Sequence, residues 1–88
     1  MVTQAQLMAL PLNSRIRTRE WAYGRNVEHT YDIKASGKKT VILQRDDWEF
    51  GRRFRWDDAY AFLTELQHAK REILGMSEPI KSIGASSI

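Results

Sequence analysis

The sequence contains no cysteine. Disulfide bonds, thiolate metal sites and a cysteine nucleophile are therefore excluded. No apolar run approaches the roughly 18–20 residues that a membrane-spanning helix needs, and residues 1–12 lack the Lys or Arg that would begin a secretory leader. We therefore expect a soluble, cytoplasmic protein with no membrane partner.

Signatures of catalysis and of cofactor binding are also missing. The two histidines, His29 and His68, are far apart in the chain and predict no metal site. The glycines stand singly, so no phosphate-binding loop is present. Paired aspartates occur at 46–47 and 57–58, where a turn and a helix start explain them. The sequence thus predicts a protein that is not an enzyme and has no cofactor.

The 88 residues fit one domain, and a hydrophobic share of 42% argues against wholesale disorder. The net charge of +3 is unevenly distributed. Residues 13–56 hold eleven basic and six acidic side chains, whereas residues 57–75 hold two basic and four acidic ones. A basic region followed by an acidic one predicts a polarised molecule that meets polyanions with its basic side.

An aromatic stretch at 48–56 predicts the centre of the core. Four aromatic residues share one parity within it: Trp48, Phe50, Phe54 and Trp56. Period two is typical of a strand with one apolar face, so we predict a strand over 48–55 that bends at Gly51. A hairpin turning at Gly51-Arg52 is the alternative.

A helical period follows this strand. Asp57 is a suitable N-cap, and Gly75 is a suitable C-cap. We therefore predict an amphipathic helix over 57–74, with a core-facing stripe formed by Ala59, Phe62, Leu63, Leu66, Ala69 and Ile73.

Three earlier segments alternate as strands do. The first, 15–23, places Ile16, Thr18, Glu20 and Ala22 opposite Arg15, Arg17, Arg19, Trp21 and Tyr23. Residues 24–26 are a turn signal, and 27–35 and 39–45 are the next two predicted strands. In 27–35 the residues Val27, His29, Tyr31 and Ile33 share the face that we expect to point inward.

Loop length sets the register between these two strands. A three-residue loop at 35–37 pairs Tyr31 with Val41 and His29 with Leu43, which keeps the faces consistent. It also places Gly37 at the left-handed position of a turn with a bulge.

The two ends are predicted separately from the domain at 13–75. Residues 1–12 are either a short helix over 4–10, capped by Thr3, or an arm that is disordered or docks a partner. Residues 76–88, rich in Ser, Gly and Ala, are predicted to be a flexible tail.

These elements predict an α+β fold, with a three- or four-stranded antiparallel sheet and one C-terminal amphipathic helix packed on one face. In the order of its strands and helix, the run 31–66 resembles small sheet-plus-helix DNA-binding modules, such as the AP2 type and the arm-binding domains of phage integrases. The resemblance is one of architecture. None of the signature motifs of those modules is present, so no residue role is carried over.

Basic and aromatic side chains gather on the predicted sheet face opposite the helix and on its loops. They are Arg15, Arg17, Arg19, Trp21, Tyr23, Arg25, Lys34, Lys38, Lys39, Arg53 and Arg55. Arg and Lys neutralise phosphates, and exposed aromatic rings stack on unpaired bases. We therefore predict a small non-enzymatic accessory protein that binds DNA or RNA through these residues.

A second interpretation stays open, namely a small protein-interaction module or inhibitor that docks on a larger protein. Glu28 and Asp32 share the basic face and reduce its charge, and Ile42 on that face favours a protein contact. An acidic protein partner and a homodimer formed through an exposed strand are both compatible with this pattern.

Overall fold

A short helix, α1 (Gln4–Met8), begins the fold. The computed structural model describes residues 2–65 and 70–79. The Thr3 hydroxyl accepts a hydrogen bond from the Gln6 amide at 3.2 Å, and the Gln6 side-chain oxygen accepts one from the Thr3 amide at 2.8 Å. This capping box satisfies two amides that a helix start leaves unpaired. Of the two alternatives for the N-terminal segment, the structure has the helix, and it buries Leu7.

Within the described residues, five antiparallel strands form one sheet, rather than the predicted three or four. A second helix, α2, makes the fold α+β with two short helices. The strands lie in the order β4-β3-β2-β1-β5. The bounds are β1 Arg15–Ala22, β2 Arg25–Ser36, β3 Thr40–Arg45, β4 Arg52–Arg55, α2 Trp56–Leu63 and β5 Arg71–Ser77.

The first strand follows the predicted alternation. Ile16 and Thr18 are buried, whereas the arginines on either side of them are exposed. Ile16 lies opposite Tyr31 of β2, and Thr18 lies opposite His29. Since period two separates the two faces of a strand, one face of β1 joins the core and the other meets solvent.

The register of the β2–β3 hairpin differs from the prediction. Tyr31 pairs with Arg45 rather than Val41, and a β-bulge lies between Ile33 and Ala35. Gly37 does not have a positive φ, and its amide bonds to the Thr40 carbonyl oxygen at 2.8 Å. The Tyr31 pairing differs from the predicted one by four residues, an even number. The predicted inward faces of both strands are therefore preserved although the loop is wrong.

The aromatic stretch is only partly a strand. β4 begins at Arg52, and the preceding residues connect it to β3. Phe50, predicted to face the core, is 74% exposed in that connection. Gly51 approaches Ile42 so closely that an added Cβ would lie 2.7 Å from its side chain. This close approach ends the predicted alternation, since the connection crosses beside β3 instead of continuing as a strand.

The predicted helix 57–74 is wrong at both ends. α2 starts one residue earlier, at Trp56, and no side chain caps it. Asp57, the predicted cap, accepts a hydrogen bond from the adjacent Asp58 amide. The helix ends at Leu63, and residues 71–77 form β5 beside β1. Residues 66–69, which include part of the predicted stripe, lie outside the described residues.

The predicted tail starts at residue 76, but Met76 and Ser77 are the last residues of β5. Residues 80–88 of that segment lie outside the described residues.

Both helices pack on one face of the sheet, which we call the covered face; the opposite one is the uncovered face. The buried core lies between the helices and the covered face of the sheet. It consists of Leu7, Ile16, Tyr31, Ile33, Val41, Leu43, Trp56, Ala59 and Leu63. Tyr31 meets the rings of Trp48 and Phe62 edge-on, with centroids 5.7 and 5.8 Å away. The Trp56 indole N–H donates to the Gly37 carbonyl oxygen at 2.8 Å, tying the start of α2 to the β2–β3 turn.

One buried polar atom at the centre of this core predicts the outcome of a substitution. The Tyr31 hydroxyl is buried and makes no hydrogen bond of good geometry among the described residues, although the Arg45 guanidinium lies near it. Tyr31→Phe should therefore leave the free energy of unfolding unchanged or raise it by up to about 1 kcal/mol, because the variant removes an unpaired polar group. Urea unfolding measures the difference, and a loss of more than that amount would contradict the assignment.

The same residue predicts that the stability of the fold depends on pH in the alkaline range. Burial raises the pKa of the Tyr31 hydroxyl above its ordinary value of 10.0, and the nearby Arg45 offsets part of that rise. As pH rises through 10, the unfolded chain loses this proton before the folded one does, so stability falls. Urea unfolding at pH 8 and above pH 10 should show a smaller loss in Tyr31→Phe than in the wild type.

Candidate functional site

Three arginines of β1 form a row on the uncovered face. The β1–β2 register places Arg15, Arg17 and Arg19 at alternate positions, and the burial of Ile16 and Thr18 forces these arginines outward. Their side chains are 69%, 62% and 44% exposed. We call these three residues the arginine row.

Each member of the arginine row has a carboxylate partner. The Arg15 Nε lies 3.3 Å from the Asp32 carboxylate, and the Arg17 Nε lies 4.0 Å from that of Glu28. Arg19 donates from Nε to Glu72 of β5 at 3.0 Å. Exposed pairs of this kind add little stability, but each carboxylate offsets the charge that its arginine offers to a ligand.

A second group of cations is gathered at one corner of the sheet. Lys38 and Lys39 occupy the β2–β3 turn, while Arg55 and Arg53 lie directly across from Thr40 and Ile42 on the neighbouring strand. We call Lys38, Lys39, Arg53 and Arg55 the cationic corner. Among residues 2–65 and 70–79, no carboxylate lies within 4.0 Å of their charged nitrogens.

All eleven Asp and Glu side chains of the chain belong to residues that the structure describes. Among the described residues, the arginine row and the cationic corner therefore differ in whether carboxylates pair with their cations. Lys34, also predicted for the site, is intermediate, since its ammonium lies 4.0 Å from the Asp32 carboxylate.

A depression with a cavity volume of about 200 Å³ adjoins the cationic corner. Its lining combines Arg53 and the polar residues Ser36 and Thr40 with Gly37 and the apolar residues Ala35, Val41 and Ile42. Hydroxyl groups beside an exposed guanidinium are groups that bind phosphate oxygens. The depression therefore offers hydrogen-bond donors next to the unpaired charge.

The remaining predicted site residues lie at the far end of β1 and β2. Trp21 is 49% exposed, on the same face as the arginine row, and Tyr23 is 98% exposed. Ala22 pairs with Arg25 across a two-residue turn made by Tyr23 and Gly24. The predicted turn at 24–26 is thus shifted, since Arg25 and Asn26 already belong to β2.

The covered face carries a second charged group that sequence reasoning did not find. We call it the charge cluster: Glu20, His29, Arg45, Asp46, Asp47 and Arg71. Glu20 is its centre, with a side chain only 12% exposed and an oxygen 2.7 Å from the Arg71 guanidinium. Arg71, itself 7% exposed, also donates to the Phe62 carbonyl oxygen at 2.7 Å and lies over the Phe62 ring.

Arg71 was missed because residues 57–74 were predicted to be helical, which placed it near the helix end. In the structure it lies opposite Glu20 across the β1–β5 pair. Glu20 at an inward position of β1 was the available signal, since a carboxylate on an apolar face requires a cationic partner.

Three members of the charge cluster have the geometry of a metal site. Ligand atoms of His29, Asp46 and Asp47 lie within 4.8 Å of one another. Arg45 already holds Asp47 through two hydrogen bonds, the longer being 3.0 Å, and this contact lowers the pKa of the Asp47 carboxyl. The two ring nitrogens of His29 face Asp46 at 3.0 Å and Glu20 at 3.3 Å. A metal ion would have to displace Arg45, so we assign these residues to the ionic network of the fold.

Trp48 links the charge cluster to β4. Two guanidinium groups lie over its ring, that of Arg45 at 5.1 Å and that of Arg52 at 4.3 Å from the centroid. This cation–π contact engages Arg52, which distinguishes it from the four residues of the cationic corner.

Comparison of the chain with protein-family models, with curated proteins and with solved structures finds no match in any of the three. Among the described residues, neither helix has the length and apolar character needed to cross a membrane.

Because Glu20 and Arg71 are both largely buried, we predict a large loss of stability when one of the two is removed. Glu20→Ala leaves a buried guanidinium without its carboxylate and should lower the free energy of unfolding by about 3 kcal/mol or more. Glu28→Ala, which removes an exposed carboxylate of the same sheet, should cost less than about 1 kcal/mol.

Urea unfolding of the two single variants and of the double variant Glu20→Ala/Arg71→Met measures these losses in the free energy of unfolding. The double variant should recover much of the stability lost in Glu20→Ala, because it buries no unpaired charge. An equal loss of stability in Glu20→Ala and Glu28→Ala would contradict the claim that Glu20 compensates the buried charge of Arg71.

Proposed function

We propose that this protein binds the phosphate backbone of a nucleic acid, DNA or RNA, through the uncovered face of its sheet, as a non-enzymatic accessory protein. The observation that carries the proposal is the cationic corner: four adjacent cations without a carboxylate partner in residues 2–65 and 70–79. Unpaired Lys and Arg bind phosphates by releasing counterions.

The arginine row is assigned a smaller part than its sequence pattern suggests. A phosphate that approaches Arg15 or Arg17 competes with the carboxylate of Asp32 or Glu28. At the corner no carboxylate of the described residues lies close enough to compete with a phosphate, and Ser36 and Thr40, which carry hydroxyl groups, line the depression beside Arg53. We therefore place the principal backbone contact at the corner and a secondary one at the row.

A second candidate function is docking onto a larger protein, acidic or of mixed charge. The paired charges of the arginine row favour it, because a surface with both signs suits a charged protein partner. A depression of about 340 Å³ on the same face, lined by Arg15, Arg17, Thr30, Gly75, Met76 and Ser77, would receive a side chain of that partner. A homodimer formed along an edge strand belongs to the same class.

Two charge-matched variants test the assignment to nucleic acid. Arg53→Gln/Arg55→Gln removes two unpaired cations, and Arg17→Gln/Arg19→Gln removes two paired ones, so both lower the net charge equally. Binding to labelled single- and double-stranded DNA and RNA is measured from 50 to 300 mM salt. If both corner residues contact phosphates, the log–log salt slope should become shallower by about 1.4 for single strands and about 1.8 for duplexes.

The row variant should change that slope less than the corner variant does. Equal effects of the two variants would show that net charge alone attracts the ligand and would remove the assignment to the corner. No binding of the wild type to any nucleic acid at 50 mM salt would reject the proposed function and favour a protein partner.

A further inference from the structure

The β1–β2 hairpin extends beyond its neighbours at one end of the sheet. β5 pairs with β1 only as far as Glu20, and β3 pairs with β2 only from Tyr31 onward. In the part of the chain that the structure describes, the end of the hairpin is therefore a two-stranded ribbon. We call residues 21–26 the ribbon tip.

The turn of the ribbon tip holds a tyrosine in an unfavourable backbone conformation. Tyr23 and Gly24 have φ values of 53° and 76°, the positive values that a type I′ turn requires at both central positions. Asn or Gly is favoured at the position that Tyr23 occupies, whereas a bulky side chain is disfavoured there. The residue is thus not explained by the needs of the turn.

Packing does not explain Tyr23 either. Its side chain is 98% exposed, so both ring faces are open to solvent. Trp21, two residues earlier, is 49% exposed and points to the uncovered face, opposite the exposed Asn26. The ribbon tip therefore presents two large rings that a ligand can reach.

The chemistry around these rings indicates the kind of ligand. Arg25 directly follows the turn, and no carboxylate among the described residues pairs with it. It lies opposite Ala22 and therefore on the other face of the ribbon from Trp21. The residues beside Trp21 on the uncovered face, Arg19 and Asn26, are polar, so this side of the tip lacks the continuous apolar patch that docks on a protein. Open aromatic rings with a free cation at the same turn suit a base and its phosphate.

We propose that the ribbon tip stacks on unpaired bases, which makes single-stranded nucleic acid the ligand of this protein. The inference rests on the proposed function, since the cationic corner supplies the backbone contact. β2 joins the two sites and has twelve residues, so its ends are about 36 Å apart at roughly 3.3 Å per residue. A strand that reaches both must be on the order of ten nucleotides long at a duplex-like rise.

The test compares two oligomers of equal charge, a fifteen-residue oligothymidylate and a fifteen-unit abasic phosphodiester, at 50 mM salt. Both carry the phosphates that the corner binds, but only the first carries bases. Wild-type protein should bind the oligothymidylate at least about fivefold more tightly, since stacking of one base contributes a factor of about five or more.

Tyr23→Asn is the decisive variant, because Asn suits the turn better than Tyr does. It should raise the urea midpoint of unfolding and yet reduce oligothymidylate binding several-fold, while leaving abasic binding unchanged. Tyr23→Phe, which keeps the ring, should bind like the wild type. Phe50→Asn removes another exposed ring, 74% exposed in the β3–β4 connection, and should also bind like the wild type.

Three outcomes separate the two proposals. Equal binding of both oligomers overturns the stacking inference and leaves the phosphate-binding function standing. Tighter binding of duplex than of single strand also overturns it, because paired bases are closed to the rings. Absence of binding to every oligomer rejects the proposed function and the inference together, and a protein ligand for the ribbon tip would then be sought.

Discussion

The pairing register between β1 and β2 is the constraint on which the rest of the structure depends. Ile16 opposite Tyr31 puts the apolar residues of both strands under the helices, and the same register puts Arg15 opposite Asp32 in solvent. A slip of one residue would bury arginines and expose the core, so burial of one face fixes what the other presents. The set of side chains on the uncovered face is thus a consequence of how the core is made.

Charge on this small molecule is organised by which cations have carboxylate partners. The arginine row and the charge cluster hold their arginines in ion pairs, and the cluster does so where Arg71 is almost fully buried. The cationic corner has no such partners among the described residues, and it lies at the opposite end of β2 from the ribbon tip. A ligand that meets both ends would contact unpaired charge at one and open aromatic rings at the other.

For β1, β2 and β3 the sequence predicted which side chains face the core more reliably than it predicted the pairing between strands. Alternation assigned Arg15 and Ile16 to opposite faces correctly, because period two is a local property of the backbone. The β2–β3 register and the fifth strand depend on contacts far apart in sequence, and Arg71–Ser77 also continues a plausible helical pattern. The Arg19–Glu72 pair, which offsets the charge of the arginine row, could not be foreseen because the pattern of that segment predicts a helix. The sequence also cannot show that Lys38 and Arg53 lack carboxylate partners, because this requires the three-dimensional position of each acidic side chain.

Amide chemical-shift mapping shows directly whether the uncovered face is the surface that binds nucleic acid. The ¹⁵N-labelled protein is titrated with a fifteen-residue oligothymidylate at 50 mM salt, and shifts are followed by residue. We expect the largest changes at Lys38, Arg53 and the ribbon tip, and none along residues 59–63 of α2, which lie on the covered face away from the cationic corner. Shifts concentrated on α2 and α1, with the uncovered face unchanged, would contradict this expectation.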